Sequence, residues 1–492
     1  MLFSHDALGR ETTRHSEAGF QHGQSYSPVG NIVEQWAGHH EPGTTDWPMD
    51  IWRRQEYDRA WNLTRVSDNR WGTTTYRYDT NDQITLAEGG TRHFPRQERF
   101  DYDINLNIRH HGQTRNLPDA LMQFTAQEQE HGRIVKRGDS RFRYDEGGRL
   151  VEKTVLSDGF RPQRWRYRWD GMGQLVQLIT PQGERWQYTY DAFGRRLSKR
   201  RERTTQGIAG YDYQWSGDLL VAETPVYADG TAAVEHSVYW LYEPGALTPG
   251  ARYENGQLHY VVRDHMGTPR ELLTEGGEVV RAQKLSVWGK AEQYRFGGPG
   301  AANDEDNAPH CPWRFAGQYA DEESGLHYNR FRYYDAETGQ YVSPDPSGLK
   351  GGIRPFGYVH NPLSWIDPLG LVSLDATGYS VYGLFDQGAT EPYYIGITND
   401  IGRRADEHMA SGRLTPGAKM RVMDSNVTYA QARGYEQYYI EKYSTKTGIW
   451  GEDISATNRG NKIDSFNHLR EDPRAQAFKE AYNTKKDVAI CP

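Results

Sequence analysis

Five side chains in the last quarter of this 492-residue chain are of types that move protons and hold anions. Tyr382 and Tyr394 are hydroxyls twelve residues apart, and the second opens the run Tyr394-Ile395-Gly396. Arg404 and His408 follow four residues apart, so on a helix they share one face. Glu436 lies further on, in 432-ARGYEQYYIEKY-443. A phenol and an imidazole can hand a proton on, and a guanidinium holds an oxyanion in a forked, permanently charged grip. Taken singly, each has an ordinary reading. The tyrosines could be packing aromatics, Arg404 and His408 a solvated helix face, and Glu436 a structural partner of Arg404. A second constellation lies upstream, where Asp345-Pro346-Ser347-Gly348 and Asp367-Pro368-Leu369-Gly370 place two aspartates 22 residues apart. Asp-Pro-x-Gly is by itself a good β-turn, with proline setting φ and glycine free to turn positive.

The elements that must carry these residues are legible nearby. The stretch 379-YSVYGLF-385 reads as a strand, 386-DQGATEP-392 as a turn and 393-YYIGIT-398 as a second strand, which makes a hairpin. Asn399 or Asp400 can cap a helix running to about Met409, with Gly412 as its stop and Gly402 weakening it. A second helix begins at 428-TYAQ-431, which has capping-box spacing. On that helix Glu436 falls on the Ala432/Tyr439/Ile440/Tyr443 side, toward the core, where an unpaired carboxylate is costly. Glu441 lies off that face and ranks below it.

The preceding three hundred residues repeat themselves. An aromatic-Asp pair, two or three small residues, then Gly or Asn and Arg/Gln-Leu recur as 57-YDRAWNLT-64, 78-YDTNDQIT-85, 102-YDINLNI-108, 144-YDEGGRLV-151, 169-WDGMGQLV-176 and 190-YDAFGRRL-197. Within each group of three the aspartates are 21 to 25 residues apart. Alternating strings such as 163-QRWRYRW-169 and 185-RWQYTY-190 lie between them, the signature of β-hairpins. A lone hairpin cannot bury its own face, so the repeats must stack into a long curling sheet.

Composition agrees. Aromatics reach 13 %, with 33 Tyr and 52 Gly, which suits many short strands joined by turns and argues against disorder. At this length two or three units are expected. The net charge of −8 carries no electrostatic advertisement for nucleic acid, and residues 372–492 hold 15 of the 58 basic and 16 of the 66 acidic residues. Any nucleic-acid reading must therefore come from a local site. Cys311 and Cys491 are too few for a disulfide framework or a four-ligand zinc site. No run approaches the length of a membrane helix, and no membrane role is expected. The segment 2-LFSHDALGRETTR-14 begins in mid-pattern, as in a piece of a longer protein.

The repeats resemble the YD repeats of Rhs and teneurin-like proteins. The segments 260-YVVRDHMGTPRELLTEGGEVV-280 and 314-RFAGQYADEESGLHYNRFRYYDAETGQYVSPDPSGLKGG-352 resemble the C-terminal core of Rhs proteins. The resemblance covers nearly everything before Leu371. It implies a mainly β, spiralling YD-repeat shell, the Rhs cocoon, over residues 1–313. A core C-terminal region follows at 314–371. The paired Asp-Pro motifs match the core boundary, where the family implies autoproteolysis after the final leucine. Here that is the Leu371–Val372 bond, with Asp345 and Asp367 as the two carboxylates. The family's Gly-Arg-Tyr stands here as Gly339-Gln340-Tyr341, and Arg354 replaces a common Asn. If that arginine assists cleavage elsewhere, cleavage here is expected to be slow.

Residues 372–492 resemble a different family, the GIY-YIG nucleases, a small α/β (α+β) fold. Val381-Tyr382 stands where the family has its first tyrosine motif, and Tyr394-Ile395-Gly396 is a literal YIG. Arg404, His408 and the Glu436 helix fall at the family's spacing, over roughly residues 378–465. The resemblance implies a metal-dependent endonuclease using Mg²⁺ or Mn²⁺, with Glu436 as metal ligand and Tyr382 as general base or water-orienting group. Tyr394 and His408 would support Tyr382, Arg404 would clamp the phosphate, and Asn458 or Asn461 would brace the site. Together the two resemblances imply an Rhs-type interbacterial toxin, delivered by a type VI spike or insecticidal toxin-complex machinery through a further N-terminal part. It would act in the target-cell cytoplasm, on DNA ahead of RNA, and be blocked by a cognate immunity protein. The alternatives are an RNase or tRNase tail on the same shell, or an adhesive YD-repeat protein with a non-catalytic tail.

Overall fold

The computed structural model describes the chain except residues 8–9, 28–29, 40–49, 60–61, 80–81, 92–93, 104–106, 116–123, 126, 157–159, 244–245, 294–308, 349–353, 372–378, 399–400, 450–451, 453, 456, 463, 467–472 and 489–492. The expected helix cap at Asn399 or Asp400, Val372 and Cys491 lie outside the described residues. The chain divides into two compact units. One comprises Met1–Glu243, Leu247–Pro346 and Phe356–Gly370, and the other Pro244–Ala246, Ser347–Pro355 and Leu371–Pro492.

Alternating polar and apolar residues fold the first unit into antiparallel strands that pair in strict chain order. Among the described residues, eleven strands between Leu2 and Thr125 make one sheet, and sixteen between Gln127 and Gln293 make the next. The repeat motif has a definite local chemistry. Each motif aspartate accepts a hydrogen bond at Oδ1 from the backbone N–H four residues on, at 2.8–3.0 Å, which closes the turn. The aromatic before it donates to a backbone carbonyl of an earlier strand in the same sheet. Tyr57 reaches Ile32 O, Tyr78 Leu63 O, Tyr144 Ile134 O, Trp169 Leu150 O and Tyr190 Leu175 O, all at 2.7–2.9 Å. The strand register shifts at each of these five aromatics. A bulge repeated at these motif aromatics bends and twists the ribbon in the same sense each time, so the sheet curls.

Five residues on from the aspartate, the side chain turns fully inward: Leu63, Ile84, Ile108, Leu150 and Leu175 are all buried. The last repeat departs from this. Arg196 takes the inward position, while Leu197 next to it is 42 % exposed. A guanidinium at 1 % exposure needs full compensation. Asp321 provides it with two contacts, at 2.5 and 2.9 Å, and Lys199 joins the same carboxylate at 3.2 Å. Asp321 belongs to a four-stranded sheet, Tyr319–Asp321, Leu326–Asn329, Arg332–Asp335 and Gln340–Tyr341, which packs on the sixteen-stranded sheet. Tyr328 donates to Gly194 O at 3.0 Å, and the hydroxyls of Tyr190 and Tyr333 meet at 2.8 Å. The curl closes through buried polar links between the first sheet and the late strands of the second. Arg53 meets Asp68 at 2.8 Å, Gln35 at 3.0 Å and also Glu271; Lys284 donates to Thr74 at 2.8 Å.

The second unit holds the hairpin expected from the sequence, Tyr379–Phe385 with Tyr394–Thr398. A third strand, Lys419–Val427, not anticipated, pairs with the other edge of Tyr379–Phe385 and makes it the central strand. Helix Ile401–Ala410 follows the hairpin, and Tyr429–Lys442 starts with the anticipated capping box, Thr428 to Gln431 and back. A third helix, Pro473–Val488, packs on the second; it too was not anticipated. None of the helices among the described residues is long and apolar enough to cross a membrane.

Candidate functional sites

The two tyrosines of the tail are brought together by strand pairing. Tyr382 lies opposite Gly396 on the neighbouring strand, and its ring crosses that glycine. A Cβ at Gly396 would collide with the Tyr382 hydroxyl, so only glycine leaves the phenol its path. The hydroxyl then meets the first helix. It lies 2.7 Å from His408 Nε2 and accepts a hydrogen bond from Arg404 Nε at 3.0 Å. The hydroxyl can give its proton to Nε2 of a neutral His408 or accept a second bond from it, according to the imidazole's tautomer. Tyr394 completes the group, its ring 5.3 Å from the His408 ring and 6.4 Å from that of Tyr382. Burial, and then the neighbouring Tyr394, hold the Tyr382 phenol well above its ordinary range. Burial likewise raises Tyr394, with Glu436 adding to the shift and Arg413 and Arg404 opposing it.

Glu436 faces the core as its helix position requires and is 8 % exposed. Burial raises its pKa, while Arg433, Ser465 and Arg404 pull it down. Its Oε2 accepts from Ser465 Oγ at 2.5 Å and from Arg433 Nη1 at 3.3 Å. The other oxygen, Oε1, takes no hydrogen bond from a described residue. Among the described residues no cluster of three or more His, Cys, Asp or Glu could hold a metal ion. A single buried carboxylate is the kind of donor that a hard cation keeping most of its waters, such as Mg²⁺, can use. The two asparagines divide. Asn461 clasps the Tyr394 strand, accepting from Ile395 N at 2.9 Å and donating to Ile395 O at 2.8 Å. Asn458 instead caps Ile449 N within its own loop, at 2.6 Å. Glu441 bonds Gln437 and Tyr482, away from the tyrosine pair.

Replacing Gly396 by alanine is expected to destabilise the tail by about 1–3 kcal/mol through overpacking. It should also displace the Tyr382 hydroxyl from Arg404 and His408. Thermal unfolding and nucleic-acid cleavage, measured side by side, check both effects.

A second cluster sits in the first unit, on the four-stranded sheet. Arg332 Nη2 lies 3.1 Å from Asp345 Oδ2 and 3.2 Å from Asp367 Oδ2, so one nitrogen is shared by both carboxylates. Its Nε donates to the Gly370 carbonyl at 2.6 Å, one residue before Leu371. Tyr341 donates to Asp367 Oδ2 at 2.9 Å and lies flat under the guanidinium, 3.6 Å from its carbon. Asn329 donates to the Asp367 backbone carbonyl at 2.9 Å. All of these residues are buried. Gly370 has φ +63°, and a Cβ there would lie 2.5 Å from Asn329 O, so glycine is required where the chain passes the sheet. Arg332 was not foreseen: in 331-FRYYD-335 it reads as one more polar residue in an alternating strand. Gln340, where the family pattern has arginine, donates instead to Gly132 O at 3.2 Å. The positive charge in this cluster is that of Arg332, on the adjacent strand.

Residues 57–355, the curled repeats and the sheet packed on them, match the family model described as Teneurin YD-shell. The chain belongs to the YD-shell family. Among curated YD-shell relatives it is 36 % identical over 391 residues to the probable deoxyribonuclease RhsA of Dickeya dadantii (strain 3937), covering 78 % of this chain and 25 % of that protein. It is 30 % identical over 449 residues to the double-stranded DNA deaminase toxin A of Burkholderia cenocepacia (strain H111), covering 84 % of this chain and 29 % of that protein. The chain thus spans between a quarter and a third of the length of these relatives. The TcdB2-TccC3-TEV crystal structure shares the YD-shell fold, with TM-score 0.58, 19 % identity and coverage of 75 % of this chain and 19 % of that one. The relatives' names describe different chemistries on a common shell, so the tail's activity has to be argued from its own residues.

Proposed function

We propose that this chain is the C-terminal part of an Rhs-type polymorphic toxin whose tail is a metal-dependent nuclease of the GIY-YIG kind. The observation that carries the reading is the Tyr382 hydroxyl held between Arg404 Nε and His408 Nε2, over a glycine that admits nothing larger. Phosphodiester hydrolysis needs a water with its proton taken, a cation at the crowded phosphate and help for the leaving oxygen. With Nε2 of His408 unprotonated, Tyr382 would give it its proton and take up the one that the attacking water releases. Arg404 brings a permanent positive charge to the tyrosine pair, which suits a phosphate that gains charge. Glu436 would hold Mg²⁺ or Mn²⁺ through Oε1, and the ion would supply charge stabilisation and an acidified water. Asn461 keeps the Tyr394 strand in place.

The cluster around Arg332 supports a second activity, self-cleavage between Leu371 and Val372. Water adds to the Leu371 carbonyl while one of Asp345 and Asp367 takes its proton. The other carboxyl protonates the departing Val372 nitrogen as the C–N bond breaks. Release of a nuclease from a shell in this way fits delivery by a type VI or related apparatus, action in the target-cell cytoplasm and a cognate immunity protein in the producer. DNA is proposed as the substrate ahead of RNA.

The test is incubation of the purified chain with plasmid DNA and with total RNA, in Mg²⁺, Mn²⁺ or EDTA. Metal-dependent loss of DNA is the expected result. Loss of RNA alone makes the tail an RNase, and loss of neither under any metal makes the shell the function.

A further inference from the structure

The tail holds a second arginine beside the tyrosine pair, outside the set assigned above. The loop after the first helix folds back on itself, with Leu414 N and Ser411 Oγ both bonded to His408 O, at 3.0 and 3.2 Å. Tyr393 then fixes the next turn by donating to the Arg413 carbonyl at 2.6 Å. These contacts set the Arg413 guanidinium on the face of Tyr394, its carbon 4.4 Å from the ring centroid. The side chain forms no ion pair among the described residues, and its Nε is buried without a hydrogen-bond partner. The neighbouring tyrosine offers the contrast. Arg459 stacks on Tyr393 at 4.0 Å, but Asp386 neutralises it with two contacts at 2.8 and 2.5 Å. Of these two stacked arginines, one is cancelled by a carboxylate and the other is left charged beside the candidate active site.

A cation held on a tyrosine face, with no carboxylate among the described residues to balance it, is poised for an anion that the protein does not supply. We infer that Arg413 is a phosphate-binding residue of the tail, gripping a backbone phosphate of a nucleic-acid strand whose scissile phosphate lies at Arg404. The inference rests on the nuclease reading above. It also accounts for how a tail with 15 basic and 16 acidic residues could attract a polyanion: by one locally uncompensated charge rather than a basic surface.

Binding tests this separately from catalysis. The complete chain, carrying Glu436→Gln so that the probe is not consumed, is titrated with a labelled DNA duplex and a labelled RNA hairpin over a range of salt concentrations. Arg413→Ala should weaken binding to both probes uniformly and flatten the slope of log K against log salt by about one. Arg413→Lys should keep the slope. Arg413→Gln, which retains the stem on Tyr394 without the charge, should lose it at unchanged thermal stability. An unchanged slope in the Gln variant, or no binding by the parent chain, overturns the inference. If the chain with Glu436 intact cuts nothing while the slope still falls, the nuclease reading fails and Arg413 remains an anion-binding residue.

Discussion

Arg404→Ala is expected to lower nucleic-acid cleavage by about 10²–10³-fold or more while leaving the fold intact. The size follows from what the guanidinium touches. It donates to the hydroxyl of Tyr382 at 3.0 Å, and its charge is felt at both Tyr394 and Glu436. Removing it would leave a buried phenol whose proton is harder still to remove, since burial already holds Tyr382 well above its ordinary range. In the proposed nuclease it would also take away the positive charge that meets the phosphate as charge builds during hydrolysis. Lysine at 404 should recover little, because an ammonium cannot bond the tyrosine and a phosphate in fork geometry at once. The fold should tolerate the change, as Arg404 is only partly buried and takes no place in the apolar core of the tail. Gel assays of plasmid and RNA, beside a thermal melt, separate the two effects. Cleavage within about threefold of the parent would remove Arg404 from the mechanism.

Asp367→Asn is expected to stop release of the tail, leaving the chain as one 56.5 kDa species where the parent splits. General acid and base catalysis contributes about 10²–10⁴-fold, so the loss of either carboxylate should be visible as a near-complete block over hours. The substituted amide is close to isosteric with the carboxylate and could still accept from Tyr341, so packing should survive. It could neither take a proton from water nor give one to the Val372 nitrogen. The new N-terminus in the parent should begin at Val372, which fixes the bond cut. A split at another bond, or one that persists unchanged in the amide variant, would separate the aspartate pair from the event. Arg332→Ala tests the same cluster from its positive side. It would leave two carboxylates facing each other in a buried site without their shared cation.

Much of the molecule is legible from its residues, and the reason is locality. The hairpin of the tail, the capping box at Thr428 and the turn-closing aspartates all depend on partners within a few residues, and those partners are visible in the spacing. The strand Lys419–Val427 and the helix Pro473–Val488 are not legible in this way, because their packing and not their pattern defines them: the strand joins the sheet on the far edge of Tyr379–Phe385.

Residue order alone therefore dictates a repeating, turn-closed β ribbon, a point where that pattern stops, and a tail with tyrosine, arginine, histidine and glutamate in a telling order. Which buried charges meet is settled only by the folded chain. Arg196 sits in a leucine position because Asp321, 125 residues away, balances it. Arg332 gathers Asp345, Asp367 and the Gly370 carbonyl, although nothing in an alternating strand separates it from its polar neighbours. A charge is tolerated in an apolar interior only with a partner at hydrogen-bond distance. Such a partner is chosen by how the chain returns on itself, which periodicity of 2 or 3.6 residues does not encode.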